Sequence, residues 1–135
     1  MPNETRELID RYYAAFNRND SAAMLECVAD DVEHDINQGE RQSGKDAFAA
    51  FLSHMDRCYR ERLTDIAIMV DETGTRAAAE FVVHGEYLAT DEGLPEARGQ
   101  TYVLPAGAFF ALSGGRITRV SVYYNLAEWI RQVAL

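Results

Sequence analysis

Cysteine, proline and tryptophan are scarce in this 135-residue sequence, which holds two, three and one of them. Two cysteines, Cys27 and Cys58, cannot build a disulfide framework, and they match no zinc-binding spacing. Basic residues are also few: 13 Lys and Arg stand against 22 Asp and Glu, for a net charge of −9. That balance excludes a non-specific nucleic-acid binder, which needs a basic face, and argues against docking on an anionic membrane. No apolar run approaches the roughly 20 residues of a membrane helix. The opening MPNETRELID lacks the basic and apolar regions of a secretory signal, so the cytoplasm is the expected compartment. Both cysteines are expected to be reduced there and unbonded to each other. There is no P-loop, and no G-x-G-x-x-G follows a strand. Repeats, linkers and low-complexity stretches are missing too, so residues 1–135 read as one domain. At 47% apolar residues, that domain can bury a core.

The first half is dominated by helical spacing. Leu8, Ile9, Tyr12, Tyr13 and Phe16 form one stripe behind a plausible cap at Asn3. Asp20 or Ser21 can cap a short second helix running to Val28, with Asp30-Asp31 ending it. Val32–Ile36 alternates as a short strand, and Asn37–Glu40 reads as a loop. Ser43-x-x-Asp46 resembles a capping box ahead of a third stripe, Phe48, Phe51, Leu52, Met55 and Tyr59.

After Arg60 the period changes to two. Thr64, Ile66, Ile68 and Val70 share one face. A second strand covers Ala77–Ala89, with Phe81, Val83, Gly85 and Tyr87 opposite Val82, His84 and Glu86. A third covers Gln100–Leu112, where Pro105 marks a bulge or an edge. Gly114-Gly115 turns into the last strand, Ile117–Tyr124, and Asn125-x-x-Glu128 caps a short closing helix. Helices first and antiparallel strands later indicate an α+β fold with helices on one face of a curved sheet.

Several of these stretches together resemble a known superfamily. Arg11-Tyr12-Tyr13-Ala14-Ala15-Phe16-Asn17, Ala29-Asp30-Asp31, Ser43-Gly44-Lys45, the Phe81–Tyr87 strand and the Gly115-Arg116-Ile117 hairpin are similar to the nuclear transport factor 2-like superfamily. Within it the chain looks most like ketosteroid isomerase-related and SnoaL-like proteins. The resemblance implies a cone: a strongly bent antiparallel sheet wrapped around three N-terminal helices, with a short C-terminal helix. The hollow would hold a small, mostly apolar ligand. The fold alone does not give the activity.

The resemblance also implies roles. Tyr12 matches an oxyanion-binding tyrosine. Asp35 matches a carboxylate base when the chain is aligned backward from Ser43-Gly44; aligned forward from Ala29-Asp30-Asp31, that position falls on Ile36. A slip of one residue reverses the face, which makes His34 the competitor. Glu33 shares the face of Asp35, and two carboxyls in an apolar hollow would raise at least one pKa. The second oxyanion donor falls on Gly107, which has no side chain; restoring a carboxyl there should raise activity on a steroid enone. Around these the expected pocket draws Phe16, Phe51 and Met55 from the helices. Phe81, Val83 and Tyr102 come from the first strands of the sheet, and Gly107, Phe109, Val122 and Tyr124 from the last.

Three functions are compatible with this pattern. The first is a cofactor-free isomerase or lyase that moves a proton next to a carbonyl, with Asp35 or His34 as base and Tyr12 as donor. The second is a small-molecule binder that does no chemistry, and the third a structural or partner-binding domain. His34, His54 and His84 show no ligand spacing, so no metal and no cofactor is expected. The convex sheet face would carry Val82, His84, Glu86, Phe110 and Tyr123. That is too apolar for open water, so a homodimer packed sheet to sheet is expected.

Overall fold

Helix α1 (Pro2–Asn17) buries Leu8, Ile9, Tyr12, Tyr13 and Ala15, which is the stripe its spacing predicts. The computed structural model describes residues 2–36 and 39–134. The helix begins at Pro2 rather than after a cap at Asn3, because a proline needs no N–H partner in the first turn. Asp20 caps α2 (Ser21–Glu26) by accepting from the backbone N–H of Ala23 at 3.0 Å.

Strand β1 (Val28–Ile36) starts where the sequence suggests helix, and β2 (Arg41–Ser43) pairs with it. Val28 is fully buried opposite Ile117, and that pairing overrides local helical preference. Asn37 and Gln38 of the expected loop lie outside the described residues. Helix α3 (Lys45–Cys58) has Gly44 at its N-cap, with φ of 98° and no side-chain cap. The expected capping box does not form, because Ser43 belongs to β2. Strands β3 (Tyr59–Val70), β4 (Arg76–Tyr87), β5 (Thr101–Ser113) and β6 (Arg116–Tyr124) follow, and α4 (Leu126–Val133) closes the chain. Asn125 caps α4 as expected, accepting from Glu128 N–H. Among the described residues no helix is long and apolar enough to cross a membrane.

The six strands lie in the order β2-β1-β6-β5-β4-β3. The fold is α+β, and its sheet is mixed: β1 runs parallel to β6, and the other pairs are antiparallel. Paired residues share a face, so the register gives rows across the sheet. One inner row runs Gln42, His34, Val120, Phe110, Ala77, Val70. The next runs Ile36, Val122, Ala108, Ala79, Ile68. Further along come Tyr124, Ala106 and Phe81, then Leu104, Val83 and Leu63, and finally Tyr102, Gly85 and Glu61.

Two details reset the parity. Asp65 has φ of 55°, and the β3–β4 register shifts between Thr64 and Ala67. This bulge turns Thr64 outward, where its hydroxyl lies 2.9 Å from His84 Nε2, while Leu63 and Ile68 face in. Strand β5, in contrast, runs through Pro105 with no break in its pairing to β4. Strand β6 pairs only from Ala106 onward, so Pro105 sits where that side of β5 is open. Helix α1 lies along the edge strand β3. Asn17 accepts from Leu63 N–H at 2.8 Å and donates to Leu63 C=O at 3.0 Å, which satisfies an otherwise unpaired stretch of sheet edge.

Candidate active site

Residues 34 and 35 are neighbours on β1 and therefore face opposite ways. His34 points inward and is only 3% exposed. Its ring meets Phe48 and Phe51 of α3 edge-on, with centroids 4.9 and 4.5 Å away. Burial pushes its pKa down from 6.5 to about 4, although Asp35 next door pulls the other way. The imidazole is neutral at pH 7 and carries one donor and one acceptor. Its Nδ1 is buried with no hydrogen-bond partner among the described residues, and the same holds for Gln42 Oε1. These two atoms belong to directly paired residues of β1 and β2 on the inner face. A buried polar atom left unpaired costs about 1–3 kcal/mol, so each calls for a partner beyond the described residues.

Asp35 lies on the outer face. Arg41 holds it through Nε and Nη2, at 2.6 and 3.1 Å, and Ser121 donates to it at 2.6 Å. The Arg41 bonds first, then Ser121, bring its pKa down to about 2. Arg41 also binds Glu33. The two carboxyls that were to polarise each other in the hollow therefore share a guanidinium on the far side of the sheet. Of the two residues the alignment left open, the inward one is His34.

Tyr12 is buried in the core and rests edge-on against Phe110, centroids 5.9 Å apart. Burial, with Cys27 as a lesser contributor, holds its phenol well above the usual range, so it remains a neutral donor. Phe110 shares the row of His34, with β6 between their strands. Two strand spacings are about 10 Å, which separates the Phe110 backbone from that of His34.

The rest of the expected lining divides. Phe81, Val83, Tyr102, Val122 and Tyr124 face inward, and Phe16 and Phe51 pack against the same core. Met55 is half-buried on α3. Gly107 and Phe109 face outward, and Phe109 is 51% exposed. Their places inside are taken by Ala106, Ala108 and Phe110. The expectation that Phe110 lies on the convex side is reversed by the same unbroken pairing through Pro105. A carboxyl at 107 would emerge outside the cone, and its Cβ would meet Ala79 C=O at 3.1 Å.

Sequence reasoning missed a second polar cluster at the other end of the inner face. Tyr102 donates to Glu61 at 2.5 Å. Its ring occupies the space that a side chain at Gly85 would fill, 2.1 Å from the position of a Cβ. Desolvation raises the Glu61 carboxyl above its usual range, and the Tyr102 bond only partly offsets this. Nearby, Tyr59 donates to Asp91 at 2.7 Å, and Asp91 lies 2.8 Å from His54 Nε2. His54, Cys58 and Asp91 bring their ligand atoms within 4.8 Å of one another. Arg57 donates to His54 Nδ1, which leaves the His54 proton on Nε2, facing Asp91. The available signals were Glu61 in step with Leu63, and His54 one helical turn before Cys58. Cys27 and Cys58 are both free thiols.

Helices packed on the inner face of a bent mixed sheet are the architecture of a known domain family. The chain belongs to the SnoaL-like domain family, which matches residues 9–120. It is similar to a provisionally named polyketide cyclase of Pseudomonas putida, with 63% identity and a TM-score of 0.95 over 96% of this chain and 98% of that one. A second provisionally named polyketide cyclase, from Xanthomonas campestris, is 56% identical with a TM-score of 0.94, covering 97% of each chain. An uncharacterised protein of Mycobacterium tuberculosis is 29% identical over 87% of this chain and 86% of its own length.

Proposed function

We propose that the protein binds a small, mostly apolar carbonyl compound inside the cone and moves a proton next to its carbonyl without a cofactor. The carrying observation is the two buried atoms, His34 Nδ1 and Gln42 Oε1, on paired inner-face residues and without a partner among the described residues. His34 is the base. It takes a proton from the carbon beside the carbonyl, the C–H bond breaks as the N–H bond forms, and the charge moves to oxygen. Tyr12 donates a hydrogen bond to that oxyanion; one such donor in a dry site contributes about 3 kcal/mol. A base with a pKa near 4 is weak in the empty site. The oxyanion that forms beside it favours the imidazolium and raises that value during reaction. The protonated ring then returns the proton to another carbon, or the enolate carbon attacks a second carbonyl and the ring gives its proton to the alkoxide that forms. The similarity to provisionally named polyketide cyclases supports this substrate class.

The same low pKa favours a second reading, a carrier that holds the ligand without turnover. One comparison separates the two. A thermal-shift panel of polyketide-like aromatics, steroids and small enones should give a hit that is lost in His34→Ala. Turnover of that hit that rises with pH through an ionisation supports the enzyme. Binding with no turnover at any pH supports the carrier, and no His34-dependent hit removes both.

We also infer a homodimer in the cytoplasm, with no nucleic-acid or membrane partner. The support for the dimer is the outer face. Phe109 and Tyr123 pack edge-on there at 5.5 Å while 51% and 47% exposed, and Val103 and Met69 are each 51% exposed.

A further inference from the structure

A cleft of about 660 Å³ opens outside the cone, between the exposed side of α1, helix α2, the start of α3 and the β5–β6 turn. On a chain of net charge −9, its lining is of the opposite sign. Arg11, Arg18, Lys45 and Arg116 converge on it, against the single carboxylate of Glu26. Arg18 and Lys45 have only loose ion pairs, with Asp20 at 3.4 Å and with a fully exposed Asp30 at 3.5 Å. Among the described residues neither Arg11 nor Arg116 has a carboxylate partner.

The Cys27 sulfur lies on the cleft wall within reach of Arg11. Burial outweighs the nearby guanidinium groups and keeps its pKa above the usual thiol value. It therefore stays uncharged and neutralises none of the cations. With one lining carboxylate and two loose ion pairs against four cations, Arg11 and Arg116 are left to repel one another and to attract an anion. The remaining walls are Ala14 and Ala23. They are small and apolar, and they leave more room than a bare phosphate fills.

We propose that this cleft binds a small organic phosphate, with Arg11 and Arg116 gripping the phosphate and the organic part resting on Ala14 and Ala23. Guanidinium forks match phosphate oxygens two at a time, and Lys45 and Arg18 add charge. The site is separate from His34, which lies on the inner face of the sheet.

Calorimetric titration of the full chain with phenyl phosphate tests this, with citrate as a polycarboxylate control. Phenyl phosphate should bind at low ionic strength and weaken as salt rises, while citrate binds distinctly less well. The double variant Arg11→Gln/Arg116→Gln should bind about tenfold more weakly or worse. Its melting temperature should be unchanged or higher, because uncompensated like charges are removed. Lys45→Gln, which removes one charge and no guanidinium fork, should weaken binding by a smaller factor, and His34→Ala should leave it unchanged. Absence of binding at millimolar phenyl phosphate would overturn the proposal. So would binding that survives the double variant, or citrate binding as tightly as phenyl phosphate.

Discussion

Gly85→Ala is the substitution the structure says most about. A Cβ at 85 would sit 2.1 Å from Cζ of Tyr102 and 2.4 Å from its hydroxyl, which is inside any tolerable contact. The ring is buried among Trp129 and its neighbours, so it cannot simply swing aside. Either the strands separate or Tyr102 leaves Glu61. Forcing atoms into a packed core costs about 1–3 kcal/mol. Losing a hydrogen bond to a charged group adds about 1.5–3 kcal/mol. Replacing glycine with alanine returns about 0.4–1 kcal/mol by restricting the unfolded chain. The net loss is about 1.5–5.5 kcal/mol, on the order of 5–20 °C in melting temperature for a domain of this size. Urea denaturation of Gly85→Ala, Tyr102→Ala and the double variant measures it. Alanine at 85 should cost far less once Tyr102 has been truncated. Equal cost of Gly85→Ala in both backgrounds would refute the close packing of this ring on the strand.

Acid should expose His34. Its folded pKa of about 4 lies below the unfolded value near 6.5, so the unfolded state binds the extra proton between those values. Stability is then full above pH 6.5 and falls by about 3 kcal/mol as pH drops to 4; denaturation curves of His34→Gln should lack that slope. The Asp35 pKa of about 2 is likewise below its unfolded value, so its contribution is present above pH 4 and lost towards pH 2. Its side chain is 29% exposed, so after solvent screening this amounts to about 1 kcal/mol, and Arg41→Ala should remove it from the acid limb. Phe109→Glu places a charge on the exposed outer face and should yield monomers in sedimentation, with the unfolding free energy of the isolated domain within about 1 kcal/mol of wild type.

The helices and their buried stripes could be read from residue spacing, and so could the caps at Asp20 and Asn125, because both signals are local. Which face a strand residue takes could not, because that depends on register. One positive φ at Asp65 reversed Thr64. An unbroken strand through Pro105 exchanged Phe109 for Phe110 and turned Gly107 out of the cone. At His34 and Asp35 the sequence left two phases open, and pairing with β6 chose between them. The Glu61–Tyr102 contact joins residues 41 apart in the chain. The cationic cleft gathers residues from α1, α3 and the last turn. No local pattern marks either grouping in a chain this acidic.

The buried Nδ1 of His34, without a partner among the described residues, can be observed directly. Nitrogen-15 NMR of imidazole-labelled protein should show His34 as a neutral ring at pH 6, with no protonation above about pH 5. Adding a panel hit should move its Nδ1 resonance into a hydrogen-bonded range while His84, on the outer face, stays where it was. A hit that stabilises the protein and leaves the His34 nitrogens unchanged would contradict the placement of ligand binding at this residue.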